Sequence, residues 1–165
     1  MHLSLIIPCY NEIDNLSKIV SRISDVFECK NKVTVILVDN GSTDGSFLEM
    51  KRITKDLSFI KLVKVHSNQG YGHGIMEGLN MARQSDLIAW THADMQTDPK
   101  DVLKAFDIYK SQNKRDCLIK GKRVNRPTVD AMLSLAMQIF ASILLQTKVD
   151  EINAQPKLIS NHFFK

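Results

Sequence analysis

Leu87–Asp98 reads LIAWTHADMQTD, and the change of character inside that stretch decides the fold. Leu87–Thr91 is an apolar run of the kind found in a strand covered on both faces. His92-Ala93-Asp94-Met95-Gln96 then places polar groups at its carboxyl end. In an open α/β sheet, ligands bind in the crevice beyond the carboxyl ends of the strands. Asp94 is therefore the first candidate for chemistry.

The same pattern recurs upstream. Leu3–Ile7, ended by Pro8, predicts a first buried strand; Val33–Val38 predicts a second and Phe59–Val65 a third. Cys117–Ile119 is a weaker fifth. Between them, apolar residues fall at helical spacing: Leu16, Ile19, Val20, Ile23 and Phe27, then Ile75, Leu79 and Ala82. Asn11 is the expected N-cap of the first helix. Ser46 with Glu49 reads as a capping box for a helix over 46–55. Asp98-Pro99 opens another, with Val102, Ala105, Phe106 and Tyr109 on one face. A long amphipathic helix is predicted over 129–146, and 151–165 shows no period. Strand and helix alternating at this pace imply an α/β, Rossmann-like, mostly parallel sheet with helices on both faces. One domain, 1–165, is expected, with its core in 1–126 and a helical, C-terminal segment in 127–165. Polar residues follow each of the first four strands, so one cleft is implied at one edge of the sheet.

Composition narrows the function classes. A formal charge of +4 over 165 residues suits an acidic ligand or an anionic surface and is no nucleic-acid signature. Three unclustered cysteines, Cys9, Cys29 and Cys117, form neither a disulfide framework nor a zinc site. A reducing compartment, the cytoplasm, is the expected localisation. No basic segment followed by an apolar core marks a secretory signal. The apolar part of the 129–146 helix falls short of the ~20 residues a membrane span needs. It reads as core, or, with Arg126 and Lys148 at its flanks, as a helix lying at a membrane surface.

The candidate site residues each have two readings. Asp39, at the end of the second strand, could accept from a ribose hydroxyl or a base N–H, or could organise the Asn40-Gly41 turn. Asp44 is explained by a cap or turn. Gly70, Gly72 and Gly74 could bring backbone N–H groups to a diphosphate, or supply a tight strand-to-helix turn. Asp94 and Gln96, two apart, project the same way if extended. They are hard ligands suited to magnesium or manganese shared with substrate phosphates. His92 is a third ligand, a phosphate donor or a packed imidazole. Lys120, Lys122, Arg123 and Arg126 form a basic run, in which the Arg123 guanidinium is the better phosphate clamp. A solvated charged surface is the alternative.

Ile6-Ile7-Pro8-Cys9-Tyr10-Asn11-Glu12, Val38-Asp39-Asn40-Gly41-Ser42-Thr43-Asp44-Gly45, Asn68-Gln69-Gly70-Tyr71-Gly72 and Ala93-Asp94-Met95-Gln96-Thr97-Asp98-Pro99 occur in the order of family 2 glycosyltransferases. The chain resembles the branch containing dolichol-phosphate and polyprenyl-phosphate sugar synthases. The resemblance covers about residues 3–126 and implies a GT-A fold. It also implies an inverting sugar transfer from a nucleotide-diphosphate donor, assisted by Mg²⁺ or Mn²⁺. Pro8, Asn11, Glu12 and Asp39 would hold the nucleoside, with Gly70 in the glycine-rich loop beside them. Asp94, Gln96 and His92 would hold the metal and diphosphate. Arg123 would meet a phosphate, and Lys157 would be a further phosphate contact. The implied acceptor is a lipid phosphate or glycan, with peripheral membrane contact through 129–146.

The chain departs from the family pattern at three places. Asn40 stands where a second Asp is usual, His92 where the first acidic metal ligand is usual, and Asn153–Leu158 replaces a Gly-Phe-Arg-like segment. The chain is also short for the family, so C-terminal truncation is an expectation, and no acidic residue follows Glu151. A phosphate acceptor, already an anion, needs no strong base. The competing expectation is a non-catalytic or truncated nucleotide-sugar-binding or scaffold domain.

Overall fold

The computed structural model describes residues 1–112, 117–122, 128–148, 150–151 and 153–164, with the backbone alone for 128–134, 163 and 164. The elements run β1 (Leu3–Cys9), α1 (Ile13–Phe27), β2 (Val33–Asn40), α2 (Ser46–Ile53), β3 (Ile60–Val65) and α3 (Tyr71–Met81). They continue β4 (Leu87–Trp90), α4 (Asp101–Ser111), β5 (Leu118–Lys120), α5 (Thr128–Leu144), β6 (Lys157–Ser160) and α6 (Asn161–Phe164). The sheet order is β3-β2-β1-β4-β6-β5, with β6 antiparallel to both neighbours and β1–β4 parallel. This is the α/β, mostly parallel sheet expected of a GT-A fold.

Two apolar layers flank the sheet, because alternate residues of each strand face opposite sides. Leu3, Leu5, Ile7, Val35 and Leu37 pack against Leu16, Ile19, Ile23 and Phe27 of α1, Met50 of α2 and Val102 of α4. Ile6, Ile36, Val38 and Ile88 face Leu79 of α3 and Ala82 just beyond it. On that side α3 lies against β1 and β2 very closely. A Cβ at Gly78 would sit 2.3 Å from Ile6 Cγ2, so only glycine admits the approach.

Several local expectations need correction. Pro8 does not end β1. The N–H of Leu3 donates towards β2, to Lys32 O, whereas Ile6 O faces β4, accepting from Thr91. Pro8 therefore faces the β4 side, where β4 has already stopped at Trp90, and no ladder bond is lost. The first and second helices are also not capped as predicted. Gly45 (φ +91°) occupies the N-cap of α2, and Glu49 pairs with Arg52 rather than reaching back. Asn11 lies outside α1, whose N-cap position is Glu12.

The amino end of α1 is instead capped from a distant turn. Ser42 Oγ accepts from Asn11 N–H, Ser46 Oγ from Glu12 N–H and Asp44 Oδ2 from Ile13 N–H. In return, Asn11 Oδ1 accepts from Thr43 N–H. The N–H groups of Glu12 and Ile13 are among the orphan donors every helix start presents. Here they stitch the loop after β1 to the loop after β2.

The tail, which carries no period, holds β6. Its four residues pair Lys157 with both Trp90 and Lys120. A strand this short, held between two neighbours, owes its existence to its pairing and leaves little periodic trace. The predicted 129–146 helix is present as α5, and no helix among the described residues is long and apolar enough to cross a membrane.

Candidate nucleotide-sugar site

The order of strands reverses at β1, whose one neighbour leads to β2 and β3 and the other is β4. Such a switch point leaves a crevice at the carboxyl strand ends. A cleft of about 260 Å³ opens there, lined by Pro8, Cys9, Tyr10 and Glu12 after β1 and Asn40 at the end of β2. Asn68, Gly70 and Tyr71 come from the loop entering α3, and His92, Ala93 and Asp94 from beyond β4. All four sequence-predicted polar segments meet in it. A larger hollow, about 570 Å³, lies at the amino ends of β1 and β2 and is mostly apolar, with Leu103 and Phe106 in its wall.

Of the predicted site residues, Pro8, Glu12, Gly70, His92 and Asp94 line the cleft. Asp39 lies beneath the surface, fully buried, with Oδ1 accepting from Ser42 N–H and Oδ2 without a partner. Asn11 is engaged in the stitch described above, and Glu12 Oε2 accepts from Asn15 Nδ2 at 2.7 Å. Lys157 stands on β6 with Nζ 5.8 Å from the Trp90 ring centroid. Arg123 and Arg126 lie outside the described residues. Of the basic run, Lys120 is tied to Asp150, whose main-chain oxygen accepts at 2.6 Å.

Asp94 and Gln96 are not extended as expected. Met95 has φ +60°, and Asp94 Oδ1 accepts from Gln96 N–H at 3.0 Å, so the segment is a tight Asx-type turn. From this turn Asp94 lines the cleft. Burial, aided by the Asp94 charge, pushes the Tyr71 phenol above its ordinary pKa, which keeps it neutral. Tyr71 stacks on His92 with ring centroids 5.0 Å apart and 27° between planes. The Asp98 end of the segment is held by Arg22 of α1 through a two-pronged contact, 3.0 and 2.7 Å. Cys9 is no nucleophile: burial, with Glu12 and Asp39 nearby, drives its thiol pKa well up.

Among the described residues, no three of His, Cys, Asp and Glu come together as a preformed metal cage. That donor set still fits one kind of cation. Magnesium-like ions take one or two carboxylates and complete their shell with substrate phosphates and water. Asp94 keeps acceptor capacity beyond its bond to Gln96, and His92 adds an imidazole on the same wall.

An α/β sheet with a polar cleft at its switch point is common to many folds; the run of four motifs around it is not. The sequence profile of glycosyl transferase family 2 matches residues 4–159. The chain belongs to that family. It is 28% identical to the dodecaprenyl-phosphate galacturonate synthase of Rhizobium johnstonii over 128 residues, 76% of this chain and 37% of that one. It is 36% identical over 102 residues to the undecaprenyl-phosphate 4-deoxy-4-formamido-L-arabinose transferase of Aeromonas hydrophila, 60% of this chain and 31% of that one. The chain thus spans about a third of the length of the curated relatives it matches.

Two solved structures show the same fold. A mannosyltransferase from Pyrobaculum calidifontis, in complex with GDP-Man and Mn²⁺, superposes with TM-score 0.68 at 19% identity, over 96% of this chain and 44% of that one. Glucosyl-3-phosphoglycerate synthase from Mycobacterium tuberculosis, in complex with UDP, gives 0.72 at 16%, over 98% and 57%.

Sequence reasoning missed the contributions of Tyr71, Tyr10, Asn68 and Arg22. Tyr71 sits within the glycine run that drew attention to itself. Arg22 lies on the polar side of α1, where a functional arginine and a solvated one look alike.

Proposed function

We propose that this chain is the donor-binding core of a glycosyltransferase that moves a sugar from a nucleotide diphosphate to a polyprenyl-phosphate acceptor, with inversion. The observation that carries the reading is the meeting of Glu12, Asn40, Gly70, His92 and Asp94 in one cleft at the β1/β4 switch point. Pro8, Asn11, Glu12 and Asp39 serve the nucleoside end. Asp39 Oδ2, buried without a partner, supports an acceptor role for a ligand N–H or O–H. Asp94, with Gln96 and His92, serves the diphosphate end. A Mg²⁺ or Mn²⁺ held there would neutralise charge building on the leaving diphosphate. The imidazole favours manganese of the two.

In the transfer, an acceptor phosphate oxygen attacks the anomeric carbon as the bond to the donor diphosphate breaks, its electron pair leaving on the diphosphate. Because the acceptor is already an anion, the chain needs no strong base. Arg123 and Lys157 are the proposed acceptor-phosphate contacts. β6 sets Lys157 opposite Trp90, the last residue of β4. A lipid surface is the proposed partner of α5, on which Leu135, Phe140, Ile143 and Leu144 are 55–73% exposed.

Calorimetric titration of UDP- and GDP-sugars, with and without Mn²⁺, tests the reading. Binding of one donor class, tightened at least tenfold by the metal and not tightened in Asp94→Ala, is the expected result. Absence of nucleotide binding under either condition overturns it. Metal-independent donor binding with no turnover on polyprenyl phosphate would favour a non-catalytic binding domain. Failure of the chain to float with anionic liposomes would remove the α5 proposal alone.

A further inference from the structure

Asn40 closes β2 at the cleft, and its surroundings give its side-chain amide a use. It is the last residue of β2, 3% exposed, and borders the cleft. Its Nδ2 donates to Gly70 O at 3.0 Å. A main-chain carbonyl can only accept, so the atom facing it must be a donor. A carboxylate there would set lone pairs against lone pairs in a buried position.

The Gly70 carbonyl is a junction. It also accepts from Gly74 N–H in the first turn of α3, while Gly70 N–H donates to Asn68 Oδ1 at 2.7 Å. Gly70 itself takes φ +93°. The face of the amide is accommodated by Gly74, where a Cβ would lie 3.1–3.3 Å from Asn40 Cγ, Nδ2 and Oδ1. The residue after the junction is Tyr71, whose ring stacks on His92. A continuous path of contacts therefore runs from the end of β2, across the mouth of α3, to the wall bearing Asp94.

We propose that Asn40 is a positioning residue whose side-chain amide latches Gly70 to the end of β2 and so holds Tyr71 and His92 in place against the cleft. The latch itself stands on geometry; its effect on nucleotide binding rests on the glycosyltransferase reading above. An amide is required, because a carboxylate reverses the hydrogen bond and alanine removes it.

The test compares the parent chain with Asn40→Asp and Asn40→Ala by hydrogen exchange and by titration with UDP and GDP in Mn²⁺, at pH 7.5 and pH 5. In both variants, amides 70–74 should exchange at least tenfold faster at pH 7.5, with β1 amides unchanged. Affinity for whichever diphosphate the parent binds should fall about tenfold. At pH 5 the Asn40→Asp carboxyl, whose neutral form burial favours, regains a proton and can donate to Gly70 O. Its exchange and affinity should then return towards the parent's, while Asn40→Ala should not recover. Glu12, Tyr71, His92 and Asp94 line the cleft, with His73 on α3 and Lys64 on β3, in all three proteins, so each variant is read as a ratio to the parent at the same pH.

Parent-like exchange at 70–74 in Asn40→Ala overturns the latch, as does an Asn40→Asp that tracks Asn40→Ala at both pH values. If Asn40→Asp does not fold, the Asn40→Ala exchange pattern decides. If the parent binds neither nucleotide, the functional reading fails, and the exchange data still decide the latch.

Discussion

Gly78→Ala and Gly72→Ala add the same methyl group to the same helix and should shift stability in opposite directions. At Gly78 the new Cβ would lie 2.3 Å from Ile6 Cγ2 and 3.1 Å from Ile6 Cγ1. Carbon atoms rest about 3.5–4.0 Å apart, so α3 must withdraw or Ile6, fully buried in the central strand, must leave its rotamer. Overpacking of this kind costs about 1–3 kcal/mol. Alanine returns up to about 1 kcal/mol through helix propensity. Gly78→Ala should therefore lose about 1 kcal/mol net. At Gly72 nothing lies within 4 Å, and only the propensity gain remains. Propensity nearly cancels between the two variants, so their separation, about 1–3 kcal/mol, isolates the contact between α3 and β1. Urea unfolding with unchanged m values reads it as a difference in midpoint. Two midpoints within about 0.5 kcal/mol of each other would refute the close approach of α3 to the sheet. Withdrawal of α3 also carries Tyr71 away from the cleft, so Gly78→Ala should weaken nucleotide binding while Gly72→Ala does not.

Asp98→Asn should remove a pH-dependent part of the stability. The hydrogen bond from Arg22 holds the Asp98 carboxyl below its ordinary 3.8. A lowered folded value means this stabilisation is present above the unfolded pKa and is lost as pH falls through the folded one. The pair is partly exposed, so the effect at neutral pH is small, about 0.5–1 kcal/mol. Urea midpoints of parent and variant should differ at pH 7 and converge in acid, and a constant gap would rule the pair out as the cause. Gly41→Ala should cost at least about 2 kcal/mol, because φ is +76° and a Cβ would stand 2.4 Å from Asn68 N. Thermal unfolding measures that loss, and a variant as stable as the parent would contradict the contact between the two loops. Phe27→Ala empties a fully buried site at the end of α1 and should lower stability by about 3–5 kcal/mol in the same assay.

Much of the fold was legible because it rests on local periodicity. The first four strands, α1 and α3 follow from apolar spacing alone, and the alternation of strand and helix implies a parallel sheet with a cleft at its carboxyl edge. Pro8, the capping residues and the tail were misread for a shared reason. Whether Pro8 costs a hydrogen bond depends on where the neighbouring strand stops. Whether Asn11 or Ser46 caps its own helix depends on which loop folds back to meet it.

The site divides in the same way. The residue types at the strand ends, and the order of four motifs, are properties of the sequence, and they sufficed to name Asp94, Glu12 and Gly70 as candidates and to imply the family. Folding alone determined that Asp39 is buried beneath the cleft, that Asp94 closes a turn with Gln96, and that Tyr71 covers His92. It alone turned Asn40, at the end of β2, into a donor to Gly70. Periodicity records which face of an element is buried. A hydrogen bond between residues 40 and 70 depends on two loops meeting across a sheet, and no local pattern carries that.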